Sequence, residues 1–343
     1  MWGKLSLRVE RILSRVDTTD DFPTETTNVE RMLGYDFKRK LLLVEALTHA
    51  SYQFDNRTVS YERMEFLGDS GASWMLLMVQ STQIYRCCSY SVLDMVVTNY
   101  LYHAPGKEYS PGHMHLRKSA VVNTHFLAYI CLRCSLSVDM SMPRPNGNGG
   151  VSVQSDTQVV YLWQCLLHSS PRILDDFKNT FPRFQKSREE IEGALTQEGI
   201  FPWAALTRLQ APKLFSDIVE SLLGAIYLDS NGNLDVIRRV LRKLGILPIL
   251  ERIVEDDVDI LHPVSRLSVW ASRNSTEIEY KFEKCKDTIT CVILLNGNEK
   301  YWVTDTYRGH ASQNDVKFAA AEQAIKALHL RELDERGQIV DEE

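Results

Sequence analysis

The sequence predicts a mainly α-helical protein that ends in a small α-β-β-β-α module, and three observations carry that expectation. Apolar residues recur at helical spacing through residues 28–250, as in Leu41-Leu-Leu-Val-Glu-Ala-Leu47. The pattern changes after His262-Pro263, where three strand-like runs follow one another and Asn296-Gly297 supplies a hairpin signal between two of them. The 343 residues are 44% hydrophobic and 24% charged, enough apolar sequence for about two packed domains and too much for wholesale disorder.

Taken in order, residues 1–27 read as an N-terminal linker segment and residues 28–250 as one helical domain. A loop-rich insertion is expected at about 135–210, opening near Pro143-Arg-Pro-Asn-Gly-Asn-Gly-Gly150, whose residues have the turn chemistry of an exposed loop. An acidic linker follows over 251–262. In 263–330 the spacing predicts a helix over 263–273, strands over 278–284, 288–295 and 301–306, and an alanine-rich closing helix over 316–328. Residues 331–343 form an acidic tail expected to fray.

Charge and cysteine usage narrow the classes. The net charge of −6 argues weakly against a nucleic-acid binder. The acids, however, are concentrated in 251–260 and in the tail, so the remainder of the chain carries no acidic excess. No stretch approaches the ~18 apolar residues of a membrane helix, and the opening residues lack the apolar core of a signal peptide. An intracellular location, cytoplasmic and/or nuclear, with no membrane partner is therefore expected. The seven cysteines fit a reducing compartment. Cys131-Leu-Arg-Cys134 has metal-site spacing without a second pair, so a structural reading of the two thiols is preferred.

Two polar stripes interrupt apolar helices. In Tyr61-Glu-Arg-Met-Glu-Phe-Leu-Gly-Asp69, residues Glu62, Glu65 and Asp69 are spaced i, i+3, i+7. In Leu214-Phe-Ser-Asp-Ile-Val-Glu-Ser-Leu-Leu-Gly-Ala-Ile-Tyr-Leu-Asp229, residues Asp217 and Glu220 lie away from the face formed by Leu214, Ile218, Leu222 and Ile226. Either pair alone reads most simply as a solvated helix face, salt-bridged to Arg63 or Lys213. Four acids set in apolar sequence and brought together, however, repel unless cations lie between them. Hard divalent ions with oxygen ligands do this, in the layout of a metal-assisted phosphodiester hydrolase.

These residues resemble a known family. Glu62-Arg-Met-Glu-Phe-Leu-Gly-Asp69 is similar to the signature of ribonuclease III, and 212–229 is similar to that family's second block. Leu33-Gly-Tyr-Asp-Phe37 with Glu45-Ala-Leu-Thr-His49 resembles its opening helices, and Ser110-Pro-Gly-His-Met-His-Leu-Arg117 through Val122-Asn123 its middle block. The long middle insertion, with Phe201-Pro-Trp-Ala-Ala-Leu-Thr-Arg-Leu-Gln-Ala-Pro-Lys213, looks most like the second ribonuclease III domain of fungal Dicer-like proteins. The final module is similar to a double-stranded-RNA-binding domain.

The resemblance implies an all-helical endonuclease domain in which Glu65, Asp69, Asp217 and Glu220 are the catalytic acids and hold Mg²⁺, with Mn²⁺ as a substitute. Glu62, Asn123 and Lys213 are assigned substrate-contacting or ligand-supporting roles. The expected substrate is double-stranded RNA. The expected products carry 5′ phosphates and two-nucleotide 3′ overhangs, as in Dicer-type gene silencing and antiviral defence. Each such domain cuts one strand, so a homodimer or a partner ribonuclease III domain is implied. Phe66 matches an interface residue, with simple core packing as the equal alternative.

Two departures qualify the resemblance. Residues 71–91 have no family counterpart, and joining Ser70 to Val92 restores the family pattern. This 21-residue segment reads as translated intron sequence, with a lineage-specific loop as the alternative, and its presence beside Asp69 is expected to impair activity. The last helix keeps only Lys317 of the usual basic run, so weak RNA binding by the final module is expected. The competing reading of the whole chain is a catalytically impaired scaffold that keeps the fold for dimerisation or RNA binding.

Overall fold

The computed structural model describes residues 24–52, 60–62, 92–145, 151–197, 199–286, 288–306 and 313–330. These form the predicted mainly helical protein with a three-stranded antiparallel sheet near its C-terminus. The described residues divide into two compact units, one drawn from 1–93, 133–169 and 217–244 and the other from 94–132, 170–216 and 245–343.

The first unit contains α1 (Thr24–Leu33), α2 (Lys40–Ala46), a hairpin of β1 (Ser135–Pro145) and β2 (Val151–Tyr161), most of a central helix (Leu214–Asp229) and a further helix (Leu234–Lys243). The turn between α1 and α2 is fastened to the end of the central helix by Asp229. Its carboxylate accepts from the Tyr35 hydroxyl at 2.7 Å and from the backbone N–H groups of Lys38 and Arg39, both at 2.9 Å. Leu167 closes a short parallel bridge with Thr48, in which its N–H donates to Leu47 at 2.7 Å and its carbonyl accepts from His49 at 2.9 Å.

The second unit contains α3 (Val92–Tyr102, from Asp94 onward), α4 (Pro111–Val121), α5 (Thr124–Arg133), α6 (Pro171–Thr196) and α7 (Trp203–Thr207). The central helix, Leu214–Asp229, is α8, and Leu234–Lys243 is α9. The second unit continues with α10 (Ile246–Glu255) and the final module. Aromatic contacts hold α5 and α6 together, with Tyr129 and Phe184 at 6.0 Å between ring centroids. Gly245, at φ +82°, makes the left-handed turn between α9 and α10 that other residues adopt only with strain.

The final module follows the predicted order closely: α11 (Pro263–Arg273), β3 (Ile278–Cys285), β4 (Thr288–Leu295), β5 (Asn298–Thr306) and α12 (Gln313–Ala327). Asn296 and Gly297 both take positive φ, 51° and 79°, as the two-residue hairpin turn requires. Ile289, Cys291 and Ile293, alternating along β4, are buried against Leu267 of α11 and Val316, Ala320 and Ala324 of α12.

Two stretches differ from expectation. The insertion at about 135–210 is largely regular: β1 runs through Pro145, β2 resumes at Val151, and α6 continues for 26 residues with Pro182 inside it. The loop signal of Pro and Gly marks the tip of a hairpin, because paired strands need turn chemistry only where they reverse. The acidic linker is folded as well. α10 extends to Glu255, and the following acids have cationic partners: Arg252 to Asp256 at 3.1 Å, Arg117 to Asp257 at 3.4 Å, and Arg266 to Asp259. The buried Arg117 and Arg266, together with Arg252, thus supply positive charge beside these acids.

Candidate active site

Of the four acids singled out, Asp217 and Glu220 lie within the described residues, whereas Glu65 and Asp69, together with Phe66, lie outside them. Asp217 and Glu220 stand at i and i+3 on α8, within one helical turn. The helix around them is packed on nearly every side. Phe215, Ile218, Val219, Leu222, Leu223 and Ile226 are all buried, and Asp217 itself is only 6% exposed. The simple solvated-face reading therefore does not apply to Asp217.

The register of α8 is pinned by the residue that follows Glu220. The fully buried Ser221 hydroxyl is 2.9 Å from the carbonyl of Ala46 at the end of α2, and equally 2.9 Å from its own helical neighbour Ile218. Two residues beyond Ala46, the carbonyl of Thr48 accepts from the N–H of Tyr61 at 2.8 Å. Tyr61 immediately precedes Glu62, which accepts from the Ser60 hydroxyl at 3.3 Å. Residues 46–48 thus tie α8 beside Glu220 to the start of the Glu62–Asp69 segment.

His49 completes this corner. Its Nδ1 accepts from the Ser51 N–H at 2.9 Å, and its ring lies 5.7 Å from that of Tyr61. Burial, then the neighbouring His168, lower its pKa against the opposing pull of Glu62. The accepting role of Nδ1 suits a neutral imidazole.

The other assigned residues fall as follows. Asn123 caps α5: its amide donates to the carbonyls of Ser119 and Ala120, each at 2.9 Å, and its oxygen accepts from the Phe126 N–H at 2.9 Å. These are backbone duties, so a structural role accounts for it. Lys213 is exposed four residues before Asp217, at the entry to α8. Lys317 holds its ammonium 4.2 Å from the centroid of the Tyr280 ring. Cys131 is fully buried, and burial pushes the Cys134 thiol up to about 11, in keeping with structural thiols.

Among the described residues no three His, Cys, Asp or Glu side chains stand together as a metal cluster. The carboxylate oxygens of Asp217 and Glu220 are of the donor type that Mg²⁺ and Mn²⁺ prefer. Sequence reasoning missed Ser221 and Ala46. The available signal was a serine embedded in the apolar run Ile218-Val-Glu-Ser-Leu-Leu223, where a buried hydroxyl must find a partner.

The ribonuclease III domain pattern matches residues 90–231, a stretch that contains Asp217 and Glu220 and begins at the C-terminal edge of 71–91. Dicer-like protein 2 of Coccidioides immitis is 32% identical over 321 residues, covering 92% of this chain and 20% of that protein. Dicer-like protein 2 of Aspergillus oryzae is 33% identical over 308 residues, covering 89% of this chain and 20% of that protein. This chain therefore spans about a fifth of the length of the curated relatives it matches. The nuclease domain of ribonuclease III from Campylobacter jejuni aligns with 68% of this chain and 97% of its own, at 23% identity and a TM-score of 0.33.

Proposed function

Because this chain carries a ribonuclease III domain and is homologous over most of its length to the Dicer-like 2 proteins, we propose that it supplies one catalytic half of a double-stranded-RNA endonuclease. The observation that carries this reading is the Asp217–Glu220 pair, one turn apart on a packed helix whose register Ser221 sets against Ala46. In this reading Glu65 and Asp69 complete the donor set. Mg²⁺ bound there would lower the pKa of an attacking water and stabilise charge on the leaving 3′ oxygen.

The protein's own contribution is positional. Burial of Asp217 and the Ser221 tie hold the α8 carboxylates without rearrangement when substrate arrives. Lys213, exposed one turn upstream, offers a cation to a backbone phosphate. A second domain, from another copy or a partner, cuts the opposite strand. The products are short duplexes with 5′ phosphates and two-nucleotide 3′ overhangs, suited to RNA silencing and antiviral defence.

Cleavage of long duplex RNA in Mg²⁺ by the full chain tests this, with Asp217→Ala and Glu220→Ala beside wild type. A loss of about 10²-fold or more in each variant, with 5′-phosphorylated wild-type products, is expected for residues that position charge at the reacting phosphate. Equal processing by wild type and variants would remove the assignment.

A further inference from the structure

Helix α12 has two working faces. Val316, Ala320 and Ala324, four residues apart, are buried against the sheet of the final module. Asp315, Phe318 and Glu322, at i, i+3 and i+7, form a second face, and each meets a residue that precedes the module. Asp315, 8% exposed, lies 3.6 Å from His125 Nε2 in α5. The Phe318 ring meets His262 edge to face at 4.1 Å, and His262 in turn lies 5.0 Å from Trp203 of α7. Glu322 is 3.6 Å from Arg208, just past the end of α7.

The chain entering the module is fastened to the same place. The Trp203 indole N–H donates to the carbonyl of Ile260 at 3.0 Å. Asp259 exchanges backbone hydrogen bonds with Gly199 at 2.7 Å and with Phe201 at 2.9 Å, in a parallel bridge. An edge-to-face aromatic cluster, two acid–base contacts and a backbone bridge thus join the module and its entry to α5 and to residues 199–208.

A helix that is to grip duplex RNA must present unengaged cations to phosphates. Here the same helix presents two carboxylates to His125 and Arg208, while its Lys317 sits over Tyr280. We infer that the final module is a docked arm, and that the partner of its Asp315–Phe318–Glu322 face is the α5–α7 region of its own chain rather than double-stranded RNA. This goes beyond the catalytic reading and does not depend on it.

Amide hydrogen exchange on the full chain, with duplex gel shifts beside it, tests the inference. Phe318 is absent from the module's own apolar core, so Phe318→Asp should open the dock without opening the module. Exchange is expected to rise at least ~10-fold over 199–207 and 259–262 while β4 keeps its protection. The double variant His125→Ala/Arg208→Ala changes nothing inside the module and should give the same pattern, even if Phe318→Asp proves to destabilise β4. Lys317→Ala should change duplex affinity less than ~2-fold at moderate salt. Unchanged exchange over 199–207 and 259–262 in the double variant, or a ~10-fold loss of duplex affinity in Lys317→Ala, would overturn the inference.

Discussion

The Ser221 hydroxyl and the Ala46 carbonyl meet at 2.9 Å, joining two segments 175 residues apart in the chain. Ala46 is the last residue of α2, Ser221 directly follows Glu220, and Thr48 accepts from the Tyr61 N–H at the head of the other acidic segment. A single stretch of backbone therefore meets both α8 beside Glu220 and Tyr61, at the head of the Glu62–Asp69 sequence.

Ser221→Ala removes one buried hydroxyl and little volume. It should cost about 1 kcal/mol of stability, the usual net worth of such a bond. If the bond positions Glu220, cleavage should fall by about 10-fold or more in kcat with KM little changed, because misplacement affects the reacting geometry more than substrate capture. Denaturant unfolding and steady-state cleavage read the two effects separately.

Asp229 is a second tie, at the far end of α8, and its side chain is fully buried. Burial pushes its pKa up, but hydrogen bonds from Tyr35, the N–H groups of Lys38 and Arg39 and the Arg39 side chain outweigh it, and the net direction is down. A depressed carboxyl stabilises the fold above its unfolded pKa of about 4, and that contribution is lost as pH falls through the lower folded value. Asp229→Asn should cost about 3 kcal/mol near neutrality, as expected for breaking a buried charged network. It should also flatten the acid limb of a stability–pH profile measured by denaturant unfolding.

His262 should make the second unit acid-sensitive. Its Nδ1 accepts from the Val264 N–H at 3.3 Å, and burial, followed by His125 and Lys317, lowers its pKa to about 4. The unfolded imidazole, near 6.5, takes up its proton first, so stability falls as pH drops from about 6.5 towards 4. His125 is displaced in the same direction, burial outweighing Asp315. His262→Asn keeps a capping acceptor and should reduce this slope without abolishing it, as followed by thermal unfolding across that pH range.

Residues 71–91 separate Asp69 from the stretch that matches the ribonuclease III domain. Cloned transcripts from the source organism are expected to lack the corresponding 21 codons. If Asp69 serves as proposed, deleting the segment from the recombinant chain should raise duplex cleavage by about 10-fold or more, by restoring the family's sequence order directly after Asp69. Transcripts that uniformly retain it, and a deletion no more active than the parent, would identify a genuine loop.

Much of the fold was legible because its signals are local. Alternation along Thr288–Leu295 and the Asn296-Gly297 turn depend on neighbours a few residues away, and the strands formed where that pattern placed them. Spacing likewise placed Asp217 and Glu220 on one helix. The burial of Asp217 was not legible, since an i, i+3 acid pair looks the same on a solvated face as on a packed one. The hairpin over Ser135–Pro145 and Val151–Tyr161 was obscured because its strands carry many polar and proline residues.

The sequence by itself determined which chemistry is present: the carboxylates, the family blocks that contain them, and the helical and α-β-β-β-α order of the elements. Those properties follow from residue type and short-range period. The tertiary structure alone decided what those residues touch. It set Ser221 on Ala46 across 175 positions, gave the acids around Asp257 their cations, and turned the Asp315–Phe318–Glu322 face of α12 towards the chain's own helices. Such pairings are chosen by long-range packing, in which buried polar groups find whichever partner the folded chain brings within reach.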